Sequence, residues 1–332
     1  MRNLRASIGK RIHRFWFRPV SAAGFGLMRI AFGVTTLINL SMEARNVERY
    51  FGPSGILPRD LVPSVLRQQW RFSLLDYVGA ETTGYLYLIL LACLVFVILG
   101  VGTRLMLLIS LVLLYSFHEY GIILLDSGDS LLHLIGFILL LSPCNRTFTL
   151  KNLERKCQAI AAGKEVRPKK TPTMPIWPYR LLLWQMVLIY VSCAYAKMSG
   201  PTWFSGSAIA IAIHHGHFSR FPIAFTDWFT RFSPSIGYFT IFTQLGWALL
   251  IILPMFAWIG IRIPTGGLKR FLIFSGIIVH TGILVMMDVG TFSLAVFTAY
   301  FGLLLEEDFE AIKKWRTWIH SFKQEPLGLT VK

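Results

Sequence analysis

The segment YVSCAYAKMSGPTWFSG, residues 190–206, joins the end of an apolar run to a loop rich in Gly, Pro, Trp and Ser. Lys197 stands at this junction, where hydrocarbon would give way to water. A charged side chain at membrane depth is costly unless it has partners or water, so such residues are candidates for function. The simpler interpretation is a lysine whose ammonium group extends to the lipid headgroups and has no further role.

The composition is that of a membrane protein. Of the 332 residues, 54% are hydrophobic and only 15% are charged. The net charge of +16 could suggest nucleic-acid binding, but most basic residues lie in short loops between apolar runs. Such loops follow the rule that basic residues stay on the cytoplasmic side, and no basic groove-binding pattern is present. Nucleic acid is therefore excluded, and the lipid bilayer is the expected environment.

The apolar runs predict an all-α fold, a polytopic bundle of about eight transmembrane helices. The predicted spans are 20–42, 82–101, 105–125, 130–143, 177–198, 237–258, 271–287 and 289–305. A basic cytoplasmic segment, residues 1–19, precedes the transmembrane domain of residues 20–305, and a cytoplasmic amphipathic tail, residues 306–332, follows it. Residues 144–176 form a flexible basic cytoplasmic loop inside that domain.

Amphipathic helices in the membrane plane are predicted on the outer side, at residues 61–77 and in the aromatic-rich segment 201–236. The orientation follows from charge, because cytoplasmic segments, with Arg180 at the cytoplasmic end of the span 177–198, hold 24 of the 33 basic residues. The chain is therefore predicted to be a multi-pass protein of the plasma (inner) membrane with both termini in the cytoplasm.

Ionisable and polar residues within the spans define a candidate site. Lys197 lies at its mouth and Arg29 and His280 lie deeper, with polar residues nearby. The additional candidates for substrate binding are His118, Glu119, Asp129, Trp203 and Gln244. A lysine acts as a base when desolvation or positive neighbours lower its pKa, and a buried histidine can donate to a developing anion. Lys197 and His280 are the catalytic candidates.

Each of these residues also has a structural interpretation. Arg29 could lock helices together through an ion pair or a clamp on carbonyl groups. His118 and Glu119 are neighbours on a helix, so they cannot share one narrow face. His133 is best explained as a histidine hydrogen-bonded inside the bundle. The histidines at 214, 215 and 217 have no carboxylate or cysteine at ligand spacing, so no metal site is predicted.

Several short motifs resemble the HTTM family (horizontally transferred transmembrane domain), whose best-known relatives are the vitamin K-dependent gamma-carboxylases. The motifs are RIAFG at 29–33, YFGPSGILP at 50–58, LSPCNR at 141–146, AKMSGPTWFSG at 196–206, HTGI at 280–283 and GTFS at 290–293. The resemblance implies that Lys197 is a base toward a reduced quinone of the vitamin K type. His280 matches a carboxylase histidine more loosely.

The chain departs from the carboxylases in two respects. Residues 127–132 read SGDSLL where those enzymes have a W-N-N-H motif, and no lumenal domain is expected after the last span. A peptide substrate would therefore need a partner protein.

Three functions remain open at the level of sequence. The first is a membrane-embedded, carboxylase-like or quinol-dependent enzyme with Lys197 as base. The second is a non-catalytic membrane partner for peptide maturation, export or binding. The third is a small-molecule transporter, although no broken pair of helices or clear repeat supports it.

Overall fold

The computed structural model describes residues 2–52, 55–56, 72–121, 125–164 and 171–322. As predicted, the fold is helical. In the first half the helices are α1 (Arg2–Phe17), α2 (Ala23–Glu43), α3 (Val47–Phe51), α4 (Thr83–Leu99), α5 (Thr103–Tyr120), α6 (Ser127–Leu141) and α7 (Leu150–Ala161). In the second half they are α8 (Trp177–Met198), α9 (Pro201–Phe204), α10 (Ala208–His214), α11 (Ile223–Thr230), α12 (Ser233–Gly246), α13 (Leu249–Met255), α14 (Gly266–Met286), α15 (Phe292–Gly302) and α16 (Glu306–Phe322).

Five helical segments in the described part of the chain are long and apolar enough to cross a membrane: Ala23–Phe51, Ala80–Leu99, Trp177–Met198, Ser233–Met255 and Gly266–Met286. A sixth is counted if α6 and α7, which are bent by 68° relative to each other, are taken as one span. Eight spans were predicted. The two predicted spans that are not among these segments correspond to α5, which has charged residues near both ends, and to α15, which has only 11 residues.

Helix α6 begins three residues earlier than predicted because an aspartate pair caps it. The Asp126 side chain accepts a hydrogen bond from the Asp129 backbone nitrogen at 2.9 Å. The Asp129 side chain accepts one from the Asp126 nitrogen at 3.0 Å. This reciprocal capping box satisfies two donors that a helix N-terminus leaves free. The acidic residues predicted to form a turn therefore start the helix.

The basic segment 144–176, predicted as a flexible loop, contains helix α7. Thr149 caps this helix by accepting a hydrogen bond from the Asn152 nitrogen at 3.3 Å. Further along, Thr173–Pro175 pairs antiparallel with Pro19–Ser21, forming a two-stranded sheet that ties the segment to the start of α2. Most of the amphipathic helix predicted at 61–77 lies outside the described residues, and Leu74–Tyr77 is a 3-10 turn.

Helix α2 lies at the centre of the bundle and packs against α4, α6 and α15. Close approach to α15 depends on a glycine, since a Cβ on Gly24 would lie 2.8 Å from the Phe301 carbonyl oxygen. Small residues permit such backbone contact between membrane helices. Phe25, Met28 and Phe32 fill the core on the same helix.

Arg29 is completely buried on α2 and binds backbone carbonyl groups from two other segments. Its Nη1 donates to Val97 and, at 2.8 Å, to Ile98, both in the last turn of α4. Its Nη2 donates to Phe148 at 2.7 Å and to Thr147 at 3.4 Å, in the link between α6 and α7. The last carbonyls of a helix lack intrahelical donors, and a cation is favourable there. Arg29 thus locks three segments together.

We predict that Arg29→Met lowers the free energy of unfolding by at least about 3 kcal/mol, because each buried carbonyl left without a donor costs about 1–3 kcal/mol. Arg29→Lys should fall between this variant and the wild type, since one ammonium group cannot reproduce the planar fork of a guanidinium. Thermal unfolding in detergent measures both changes. The control is Arg104→Met, at an exposed arginine. Equal stability of Arg29→Met and the control would contradict the prediction.

Candidate functional site

A cavity of about 760 Å³ opens among helices α6, α8, α12, α14 and α15, beneath the segment that follows Lys197. Most of its wall is apolar. Four of the predicted site residues line it: Lys197, His280, Trp203 and Gln244. Tyr190, Cys193, Trp247 and Gly276 also line it. A concave, largely apolar pocket with a few convergent polar groups is the usual form of a ligand site.

Lys197 lies in the last turn of α8 and is half-buried at the cavity wall. Its Nζ lies 5.1 Å from the centroid of the Trp203 ring. Within the described part of the chain, no carboxylate approaches Lys197 within ion-pair distance. The amine is therefore held by an aromatic face and not by a counter-ion, and this distinguishes it from a structural ion pair.

Tyr190 and Trp247 form the floor of the cavity, and Tyr300 supports them without lining it. Tyr190 stacks on Trp247 with ring centroids 4.7 Å apart, and Trp247 stacks on Tyr300 at 6.0 Å. The Tyr190 hydroxyl hydrogen-bonds to the Tyr300 hydroxyl and lies 3.3 Å from Nε2 of His280. These contacts fix the His280 ring at the wall.

Two buried polar atoms at the cavity have no hydrogen-bond partner among the described residues. They are Nδ1 of His280 and Oε1 of Gln244. Buried polar atoms normally have partners, so unpaired ones at a pocket indicate where a ligand or water binds. The histidine nitrogen can donate a hydrogen bond to a ligand or accept one from it, depending on the tautomer. The amide oxygen can only accept one.

The segment after Lys197 covers the cavity as a lid, residues 201–214, held down by α12. The Ser233 hydroxyl accepts from the Ala210 nitrogen at 3.0 Å and donates to the Gly206 carbonyl at 2.5 Å. The Tyr238 hydroxyl donates to the Phe204 carbonyl at 2.7 Å. The lid places Trp203 against Lys197.

The other predicted site residues do not line this cavity. Arg29 belongs to the carbonyl clamp described above, which corrects the expectation that it lies near Lys197. His118 and Glu119 lie on α5, and Asp129 lies at the start of α6. The structure therefore brings together four of the eight predicted site residues and separates the remaining four from them.

Three of those residues lie in or beside a second polar cluster, where the C-terminal ends of α2 and α5 meet the N-terminal end of α6. Nδ1 of His118 lies 3.0 Å from Nε2 of His133, which accords with the hydrogen-bonded histidine predicted at that position. Asn39 donates to Asp129 at 2.6 Å. Burial, followed by the neighbouring Asp129 carboxylate, raises the pKa of the Asp126 carboxyl above its ordinary value. These contacts join three helices.

Tyr190 and Trp247 of the floor, and Tyr300 that supports them, were not predicted as site residues. For Tyr190 the signal was present: residues three, four and seven positions apart share one helix face, and Tyr190, Cys193 and Lys197 have that spacing. Trp247 directly follows α12, and Tyr300 lies on α15. No local pattern marks them, because only the packing of α12 and α15 against α8 brings them next to Tyr190.

The helices and the cavity define a multi-pass membrane protein with a lipid-compatible internal pocket. The family model described as the HTTM domain matches residues 17–263, so the chain belongs to the HTTM family. Lys197, Trp203 and Gln244 lie inside the matched range, and His280 lies beyond it. Comparison with curated proteins gives no match, and neither does comparison with solved structures.

The cavity fits a ring-bearing, lipid-soluble group. Its aromatic floor can stack against a planar ring, and the unpaired atoms of His280 and Gln244 can bond ring oxygens. In the described part of the chain, no group of three or more His, Cys, Asp or Glu residues could hold a metal ion.

We predict that Gly276→Ala disrupts the floor. A Cβ at Gly276 would lie well inside contact distance of the Tyr300 hydroxyl and 2.8 Å from Cζ of its ring, so the buried tyrosine must move away from Tyr190. The free energy of unfolding should fall by about 1–3 kcal/mol. The matched control, Gly282→Ala, lies on the same helix with open space around it and should be neutral or stabilising by up to about 1 kcal/mol. Thermal unfolding of both variants tests this; equal stability of the two would refute it.

Proposed function

We propose that this HTTM protein is a membrane-embedded enzyme that binds a lipid-soluble quinol in the cavity and uses Lys197 as a general base. One observation supports it above all: among the described residues, Lys197 has no carboxylate within ion-pair distance, and it lines an apolar cavity where two buried polar atoms have no partner. A structural lysine would be expected to have a counter-ion or to extend into water.

The base must be in its neutral form to accept a proton. Apolar surroundings disfavour the charged form of an amine, and the walls around Lys197 supply such surroundings. The Trp203 ring lies 5.1 Å from the amine on the lid side of the cavity and attracts the ammonium form, so the apolar walls must outweigh this contact for the neutral base to form. In this role, Lys197 takes a proton from an acidic O–H group of the bound ligand.

His280 and Gln244 orient the ligand in the proposal. The Tyr190 hydroxyl holds the His280 ring from one side, which leaves Nδ1 for a ligand oxygen. Gln244 offers an acceptor for a second O–H group. A reduced quinone of the vitamin K type has two such oxygens on one ring. In the proposed reaction the quinol loses two electrons and two protons to become the quinone, and dioxygen accepts both and leaves as hydrogen peroxide.

The proposed topology places the cavity on the outer side of the plasma (inner) membrane and both termini in the cytoplasm. The distribution of basic residues supports it, with 24 of 33 in the proposed cytoplasmic segments. In this arrangement α5 and α15 complete eight spans, and α9, α10 and α11 lie in the plane of the membrane as the outer lid.

The test is turnover of a reduced naphthoquinone in nanodiscs under oxygen, followed by mass spectrometry of the lipid fraction. Wild-type protein should form an oxidised product faster than empty nanodiscs. Lys197→Ala and Lys197→Arg should both lower the rate about 100-fold or more, because a positioned base contributes about 10²–10⁴-fold and arginine does not deprotonate in proteins. The matched control is Lys151→Ala, at an exposed lysine of α7, which should retain the wild-type rate.

Two outcomes would contradict the proposal. If Lys197→Arg matches the wild type, the lysine acts through its charge and not as a base. If wild-type protein gives no product above the empty nanodiscs while still binding the quinol, the non-catalytic partner for peptide maturation becomes the better explanation. Membrane levels of each variant, measured by immunoblot, separate loss of folding from loss of turnover.

A further inference from the structure

A second cavity, of about 250 Å³, lies at the opposite end of α8 from Lys197. Helix α8 has 22 residues, so its two ends are about 33 Å apart. The charged residues at this cavity are Arg18, Arg180, Lys269 and Glu307, and its apolar wall includes Leu183, Leu250 and Pro254. Nothing in the proposed reaction uses this cavity.

Two of the cations at the cavity differ from the third. Arg18 and Arg180 both line it, and among the described residues neither has a carboxylate within ion-pair distance. Lys269, in contrast, is buried and paired with Asp308. Two guanidinium groups that line one cavity and have no ion-pair partner in the described part of the chain are suited to binding an anion.

The Arg180 guanidinium is held in a fixed plane. It lies 3.6 Å from the centroid of the Phe15 ring, and its Nε donates to the Phe15 carbonyl at 2.9 Å. Its Nη nitrogens have no hydrogen-bond partner in the described part of the chain. A planar guanidinium with free Nη groups matches the oxygens of a phosphate in a bidentate manner.

The surroundings are those of a membrane interface. Helix α1 contains basic residues and no acidic ones, and its Trp16 packs against Trp184 of α8 with ring centroids 5.5 Å apart. Leu183, Leu250 and Pro254 continue the cavity along apolar helix surface. Basic pockets between membrane helices bind the headgroups of anionic lipids.

We propose that this cavity binds the phosphate of an anionic phospholipid headgroup, with Arg18 and Arg180 as its ligands and the lipid chains against Leu183, Leu250 and Pro254. Glu307 is the acidic residue on the wall, and it is exposed, so its carboxylate can turn into water when the phosphate enters. The bound lipid then joins α1 to α8 at the proposed cytoplasmic surface.

Native mass spectrometry of the detergent-purified full chain tests the site. Phosphatidylglycerol should form a 1:1 adduct more strongly than phosphatidylcholine. Arg18→Gln and Arg180→Gln should each weaken that adduct by about five-fold, because one basic residue contributes about 1 kcal/mol to binding of anionic lipid. Arg14→Gln is the matched control: it removes the same charge from the same basic helix, at an exposed position away from the cavity. It should bind like the wild type.

The arms of this experiment separate the alternatives. Inorganic phosphate alone, at the same concentration, should give no adduct; an arginine-dependent phosphate adduct would show a site for soluble phosphate and overturn the lipid assignment. Equal losses in Arg14→Gln and Arg18→Gln would show non-specific charge attraction and also overturn it. Arg18 is exposed, so its variant is expected to fold, and a matching thermal transition checks this.

Discussion

The energetic cost of placing a positive charge among apolar helices governs how this bundle is built. Arg29 and Lys197 meet that cost in different ways. Arg29 is enclosed by carbonyl groups at the end of α4 and after α6, and its two Nη nitrogens hold these segments together. Lys197 lies against an aromatic ring at the edge of a cavity, with no carboxylate beside it in the described residues. The first arrangement is structural, and the second is suited to chemistry.

The aromatic floor and the lid follow from the position of Lys197. Tyr190 stands two helical turns before it on the same face of α8 and connects the cavity to Tyr300 and His280. The lid begins directly after α8 and is held by Ser233 and Tyr238 of α12. One helix therefore carries the proposed base and Tyr190 of the floor, and the lid follows directly from its end. Its other end carries Arg180 at the second cavity, so the two proposed ligands occupy opposite membrane faces.

The sequence was sufficient for the helical membrane fold, the HTTM family and the link between Lys197, Trp203, Gln244 and His280. Long apolar runs and a lysine beside a Gly-Pro-Trp turn carry that information locally. Arg29 was harder, because a buried arginine has the same sequence signature whether it binds a ligand or backbone carbonyls. The roles of Trp247 and Tyr300 depend on how α12 and α15 pack against α8, which no local pattern encodes. Hydrophobic length alone also could not decide whether α5 and α15 cross the membrane.

Chemical accessibility at position 197 tests the central claim most directly. Lys197→Cys and Ser199→Cys are introduced separately into a background in which Cys157 and Cys193 are replaced by serine. The two remaining native cysteines, Cys93 and Cys144, are buried. Each is then treated in nanodiscs with N-ethylmaleimide and with a bulky, charged maleimide. If residue 197 faces the cavity under its lid, the cysteine there reacts with the small reagent and resists the bulky one, whereas exposed position 199 reacts with both. Equal reaction of both positions with the bulky maleimide would place residue 197 outside the cavity and contradict the account.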